Sequence, residues 1–180
     1  HGVRHNGQLT QLSEQKLVKT LHEAKRTLEK IINCPVKGFR APLLQHSSRI
    51  LRGLKGASYD YDTSIPTWEP KHPRTMRSHG LGTTYPISLG GVTEIPVTLV
   101  QDHQLLYVLG FEPKKAIVVW LSMIAEIKEL GSCCVLLLHP EYKIFGRSNL
   151  AMCEELLNIM ASDEQAWITT PEHLTNGIRK

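Results

Sequence analysis

Residues 133–139 read CCVLLLH, an unbroken apolar run that ends on a histidine. A run of this length with no alternation fits a strand buried on both faces, as in a parallel sheet covered by helices, rather than a half-solvated antiparallel strand. The flanks agree. Upstream, Pro113 opens a helix to about Leu130 with Ile117, Trp120, Leu121, Ile124 and Ile127 on its apolar face, and Gly131 stops it. Downstream, Ser148 starts a helix to about Met160, and AWIT (166–169) reads as a last short strand.

The same alternation runs back to the beginning of the chain. Ser13 caps a helix to about Ile32, with Leu17, Leu21, Ala24, Leu28 and Ile31 or Ile32 at helical spacing, and Pro35 ends it. The stretch VKGF is extended, Ser47 or Ser48 caps a helix to about Lys55 that Gly56 closes, and ASYDYD is a short strand. Residues 66–91 hold many prolines and glycines with little periodicity, which predicts a long, functional loop. VTEIPVTLV is a strand that Pro96 makes irregular. Strands taking turns with helices predict an α/β fold with a parallel sheet or barrel, whose functional side chains gather at the C-terminal ends of the strands. That rule selects His139 after CCVLLL, Arg40 after VKGF and Asp62 at the end of ASYDYD. His1 and His5 of the opening HGVRH join them if a further strand precedes.

Composition narrows the function classes. With 180 residues, 41% hydrophobic and 21% charged, the chain suits one globular domain over residues 1–180, and its longest apolar run is far too short to span a bilayer. Cys34, Cys133, Cys134 and Cys153 have no C-x-x-C spacing, so they read as thiols rather than a disulfide or zinc framework. Residues 1–90 carry 14 Lys and Arg against 6 Asp and Glu, and residues 91–180 carry 7 against 11. The basic residues of the first half are scattered and interleave with Glu on a predicted helix, without an aromatic-basic pattern, so a solvated helix face explains them better than nucleic-acid binding. Each candidate also has a bland reading: Arg40 as a surface charge, His139 as a core histidine, Asp62 as a turn residue. HGVRH lacks the glutamate that a zinc-protease helix needs after its first histidine, and Gly2 and Gly7 discourage a helix, so the pair belongs to a loop.

Order and local sequence join these pieces. HGVRH, GFRAP, YDYDTS and LLLHPE, in that order, resemble the second to fifth motifs of the NodB-homology polysaccharide deacetylases, also called carbohydrate esterase family 4. The resemblance runs from His1 through the final PEHL, and TEIPVTL with LLLHPEY looks like the branch that holds peptidoglycan-type deacetylases and allantoinase-like cyclic amide hydrolases. It implies a distorted (β/α) barrel of about seven strands, here incomplete and lacking its first strand or strands.

By the resemblance, His1 and His5 are imidazole ligands of a divalent metal, usually zinc. Arg40 orients the catalytic carboxylate, Asp62 (or, in the other register, Asp60) is the fourth-motif aspartate, and His139 is the general acid that protonates the leaving amine. Leu137, two residues before His139 and on the same strand face, is expected with Pro42 on the substrate pocket wall. The first motif, which supplies a general-base aspartate and a third, aspartate metal ligand, is not in this sequence, where no Asp-Asp pair occurs. The expectation is therefore a fragment, inactive alone, of a protein that hydrolyses the N-acetyl amide of amino sugars in a poly- or oligosaccharide. The alternatives are an allantoinase-like cyclic amide hydrolase and a carbohydrate-binding pseudoenzyme. Gly2 replaces a hydroxyl residue common after the first histidine, and Leu43 stands where many members have an aromatic, which weakens sugar stacking. A carbohydrate is the expected partner, with no nucleic acid and no membrane span. An upstream export signal would place the protein in the cell envelope or outside the cell, and without one the expectation is the cytoplasm.

Overall fold

Gly90 and Gly91, at φ 62° and 87°, join β3 (Ile87–Leu89) to β4 (Val92–Glu94) in an antiparallel hairpin, with Leu89 opposite Val92. A two-residue connection with both central residues at positive φ matches the right-handed twist of the flanking strands, which is why two glycines stand there. β4 pairs in parallel with β2 (Tyr61–Asp62), and β2 pairs in parallel with β1 (Gly38–Phe39), giving the order β1-β2-β4-β3. The structure, a computed structural model, describes residues 1–5, 8–69, 79–139 and 147–178. Residues 70–78 of the predicted loop, and Pro140 and Glu141 of LLLHPE, lie outside these.

Past β4 the sheet loses regular pairing where Pro96 removes a donor, as expected, and resumes as a parallel bridge between Pro66 and Val97. Residues 133–139 then lie alongside 97–102: Leu99 N–H donates to the Val135 carbonyl at 3.1 Å, Val135 N–H to Thr98 Oγ1 at 2.6 Å, and His139 N–H to Asp102 Oδ2 at 2.7 Å. Both partners advance together, so the two segments run parallel. CCVLLL is thus extended, but it forms no regular strand and its residues are half-buried rather than covered on both faces. Cys134, Leu136 and Leu138 pack onto the core around Trp120, which leaves Val135, Leu137 and His139 on the other face. The apolar side chains on that second face made the run look doubly buried.

The helices cover the sheet with two apolar clusters. α1 (Glu14–Ile32) lays Leu17, Leu21 and Ala24 against α2 (Ser48–Gly56), where Ile50, Leu51 and Leu54 are buried and Ser47 Oγ accepts the Ile50 N–H at 3.2 Å. The second cluster joins Leu99 and Leu105 to α3 (Pro113–Glu129), through Ala116, Ile117, Trp120 and Ile127, and to α4 (Arg147–Ala161), through Met152, Cys153 and Leu156. Trp120 anchors it, donating from its indole to the Val100 carbonyl at 2.7 Å.

Three sequence expectations change. The stripe of α1 is buried only as far as Ala24, with Leu28, Ile31 and Ile32 exposed, and Asn33 in the left-handed region (φ 50°) ends the helix before Pro35. AWIT is no strand: Trp167 and Ile168 are each 68% exposed, and the chain passes into a further helix, α5 (Pro171–Ile178), which Thr170 Oγ1 caps by accepting the His173 N–H. A π-helix over Gln104–Val108 follows Asp102, where no element was expected. The cysteines are free thiols, with Cys34 exposed, Cys133 and Cys134 half-buried and Cys153 buried, and burial pushes Cys134 up to about 11. No helix among the described residues is long and apolar enough to cross a membrane.

Candidate active site

Three successive parallel segments end at one edge of the sheet, and each delivers a polar side chain. β1 leads into Arg40, whose Nε donates to the Thr63 carbonyl and whose Nη2 donates to Thr63 Oγ1, both at 2.9 Å. β2 ends on Asp62, fully buried, and β4 ends on Glu94, fully buried and in register with it. Parallel pairing at one register puts both carboxyls on the same sheet face. Asp62 Oδ1 accepts the Ser64 hydroxyl at 2.6 Å, and Glu94 Oε1 accepts the N–H groups of Ser64 and Ile65 at 3.2 and 2.9 Å. Burial pushes Asp62 up to about 6, opposed by its hydrogen bonds and the Arg40 charge; burial and the Asp62 charge push Glu94 up to about 9. The Arg40 guanidinium is lowered by burial, against the pull of Asp62 and Glu94. Asp60, the alternative register, instead pairs with Lys37 at 3.5 Å near solvent.

HGVRH sits over this group. His1 Nδ1 lies 2.7 Å from the Arg40 carbonyl, which leaves Nε2 free to act as a ligand, and the His1 and His5 rings are tilted with centroids 5.0 Å apart. Two neighbouring imidazoles with one ring nitrogen oriented by a carbonyl suit a transition metal, yet among the described residues no group of three or more His, Cys, Asp or Glu comes together to hold one. Pro42 is buried, beneath Gly2, so its contact is with the HGVRH loop; the exposed residue of that turn is Leu43, held at φ 57°. A leucine in the left-handed region is strained, and strain of this kind persists where surrounding structure holds it.

His139 ends a further parallel segment. Its Nδ1 lies 2.7 Å from Oδ1 of Asp102, a fully buried carboxylate that also accepts the N–H groups of His103 and His139. A carboxylate only accepts, so Nδ1 carries the proton in that bond and Nε2 faces outward from a ring 37% exposed. Leu137 is half-buried on the face of His139.

The fold has a counterpart among solved structures. The crystal structure of a protein described as "putative polysaccharide deacetylase from Mycobacterium smegmatis" superposes with a TM-score of 0.73 over 99% of this chain and 61% of that one, at 19% identity. The chain has the polysaccharide deacetylase fold. It spans 61% of the length of that structure. No protein-family model matches the sequence, and no curated protein matches it.

Within this fold the structure gathers His1, His5, Arg40 and Asp62 at the ends of β1 and β2, and places His139 with Leu137 at the end of the segment that runs parallel to 97–102. Sequence reasoning missed Glu94 and Asp102. Asp102 carried a signal, since it follows the C-terminal end of the apolar stretch in TLVQD, where the rule that chose Asp62 applies equally; Glu94, inside VTEIPVTLV, did not.

Proposed function

We propose that the full-length protein to which this chain belongs hydrolyses the N-acetyl amide of amino sugars in a polysaccharide or oligosaccharide, and that residues 1–180 alone, an incomplete barrel, are inactive. The observation that carries this reading is the Asp102–His139 pair at the end of the segment that runs parallel to 97–102. Asp102 takes up Nδ1–H and leaves Nε2 as the outward nitrogen, so that when the ring is doubly protonated it is Nε2–H that gives its proton to the departing amine. Arg40, tied to Thr63 by two hydrogen bonds, presents a fixed positive charge to a catalytic carboxylate. His1 through Nε2 and His5 would hold a divalent metal such as zinc, with an aspartate upstream as third ligand. Such a metal polarises the amide carbonyl and lowers the pKa of water. Leu137 and the exposed Leu43 line the approach.

A second reading, a cyclic amide hydrolase of the allantoinase kind, is favoured by Leu43: an exposed aliphatic in place of an aromatic gives a sugar ring no stacking surface. Acetate release from N-acetylated chitooligosaccharides by the full-length protein supports the first reading, and ureide formation from allantoin supports the second. Neither product would end both. In the active protein, His139→Ala and Asp102→Asn are each expected to lower kcat by about 10²–10⁴-fold, with little change in KM.

A further inference from the structure

Glu94 has no part in the chemistry proposed above, yet it is fully buried in the sheet beside a second carboxyl. Its Oε1 is satisfied by two backbone N–H groups, and so is Asp62 Oδ1 by the Ser64 hydroxyl. The other oxygens, Asp62 Oδ2 and Glu94 Oε2, are buried and meet no donor. Two ionised carboxylates in register would leave two orphan acceptors and two like charges in a dry site. One proton between them resolves both problems, turning one acceptor into a donor.

We propose that Glu94 is a positioning residue: Asp62 and Glu94 share one proton, carried by Glu94, and the resulting singly charged pair holds Arg40 and the His1 segment at the edge of the sheet. The connections are short and continuous. Glu94 holds the backbone of Ser64 and Ile65, and Asp62 fixes the Ser64 hydroxyl, which in turn accepts the Ala41 N–H at 2.8 Å. That anchors the residue after Arg40, while Thr63, between the two anchored positions, takes both guanidinium bonds. The Arg40 carbonyl then receives His1. The charged side chain that faces the pair is the Arg40 guanidinium, which favours one negative charge on it.

The positioning role rests on the hydrolase reading, whereas the shared proton does not. Native Glu94 stays protonated up to about 9, but an unfolded glutamate loses its proton near 4.5. The native state therefore binds the extra proton, so its stability is greatest at low pH and is lost as pH rises toward the native value. Between about 6 and about 9 the unfolding constant is expected to rise about tenfold per pH unit from this group. Urea unfolding of the chain across that window, compared with Glu94→Gln, should show the slope in the parent and its removal in the variant, because glutamine keeps the donor without titrating. Parallel pH profiles for the two would overturn the shared proton. Infrared difference spectra of the unmutated chain give a test that needs no variant: a protonated-carboxyl carbonyl band at neutral pH is expected, and its absence would overturn the pair. In the full-length protein, Glu94→Gln should keep kcat within about threefold while Glu94→Ala loses about tenfold or more, and equal losses would overturn the positioning role. Absence of turnover in the unmutated full-length protein would overturn the hydrolase reading and, with it, the positioning role, while the band and the pH slope still decide the proton.

Discussion

Ser64 accepts the Ala41 N–H and donates to Asp62 Oδ1, so one hydroxyl joins the exit of β1 to the buried carboxyl of β2. Ser64→Ala would strand a buried donor and a buried acceptor together. Such orphaned groups cost about 1–3 kcal/mol, and urea unfolding should show a loss of that size with no change in slope. Ser64→Thr, which keeps the hydroxyl, should recover much of it. At this scale a motif was enough to single out His1, His5, Arg40, Asp62 and His139 as candidates. The sequence was less legible where a residue serves another, as Asp102 serves His139 and Glu94 serves Asp62, because pairing across strands depends on register, which no local pattern of residues supplies.

At the scale of elements, α1 and α2 approach closely because Gly53 has no side chain: a Cβ there would stand 2.9 Å from Leu17 Cδ2 and 3.0 Å from Leu17 Cγ. Leu17 is fully buried and has no room to withdraw. Gly53→Ala gains up to about 1 kcal/mol of helix propensity but overpacks a filled interface at about 1–3 kcal/mol, so a net loss of about 1 kcal/mol is expected in chemical denaturation. Pairing it with Leu17→Ala should give a loss smaller than the sum of the two, since the second change makes room for the first. Helices α1, α2 and α3 were readable within about two residues because their stripes repeat at helical spacing. The β3–β4 hairpin was missed although Gly90–Gly91 between short apolar runs is a recognised turn signal, because the surrounding glycines and prolines read as loop. AWIT misled for the opposite reason. Its apolar side chains satisfy strand propensity, but they lie exposed beside a helix start that Thr170 and Pro171 announce.

For the whole molecule, the alternation of strands and helices was enough to predict an α/β chain with its polar residues at one sheet edge, because parallel connections bring every strand's C-terminal end to the same side. The two-residue strands were beyond it, since their lengths depend on partners distant in sequence. If His1 and His5 are metal ligands as proposed and an upstream carboxylate completes the set, chain 1–180 should bind zinc about tenfold or more weakly than the full-length protein in competition titrations. The central claim is that the imidazoles of HGVRH and the histidine paired with Asp102 open into one cavity. Paramagnetic Mn²⁺ added to full-length protein labelled at its histidine rings tests it most directly. Broadening of the His139 ring signal that disappears in a His1→Ala, His5→Ala double variant is the predicted result; a His139 signal indifferent to the metal, while His1 and His5 broaden, would contradict the account.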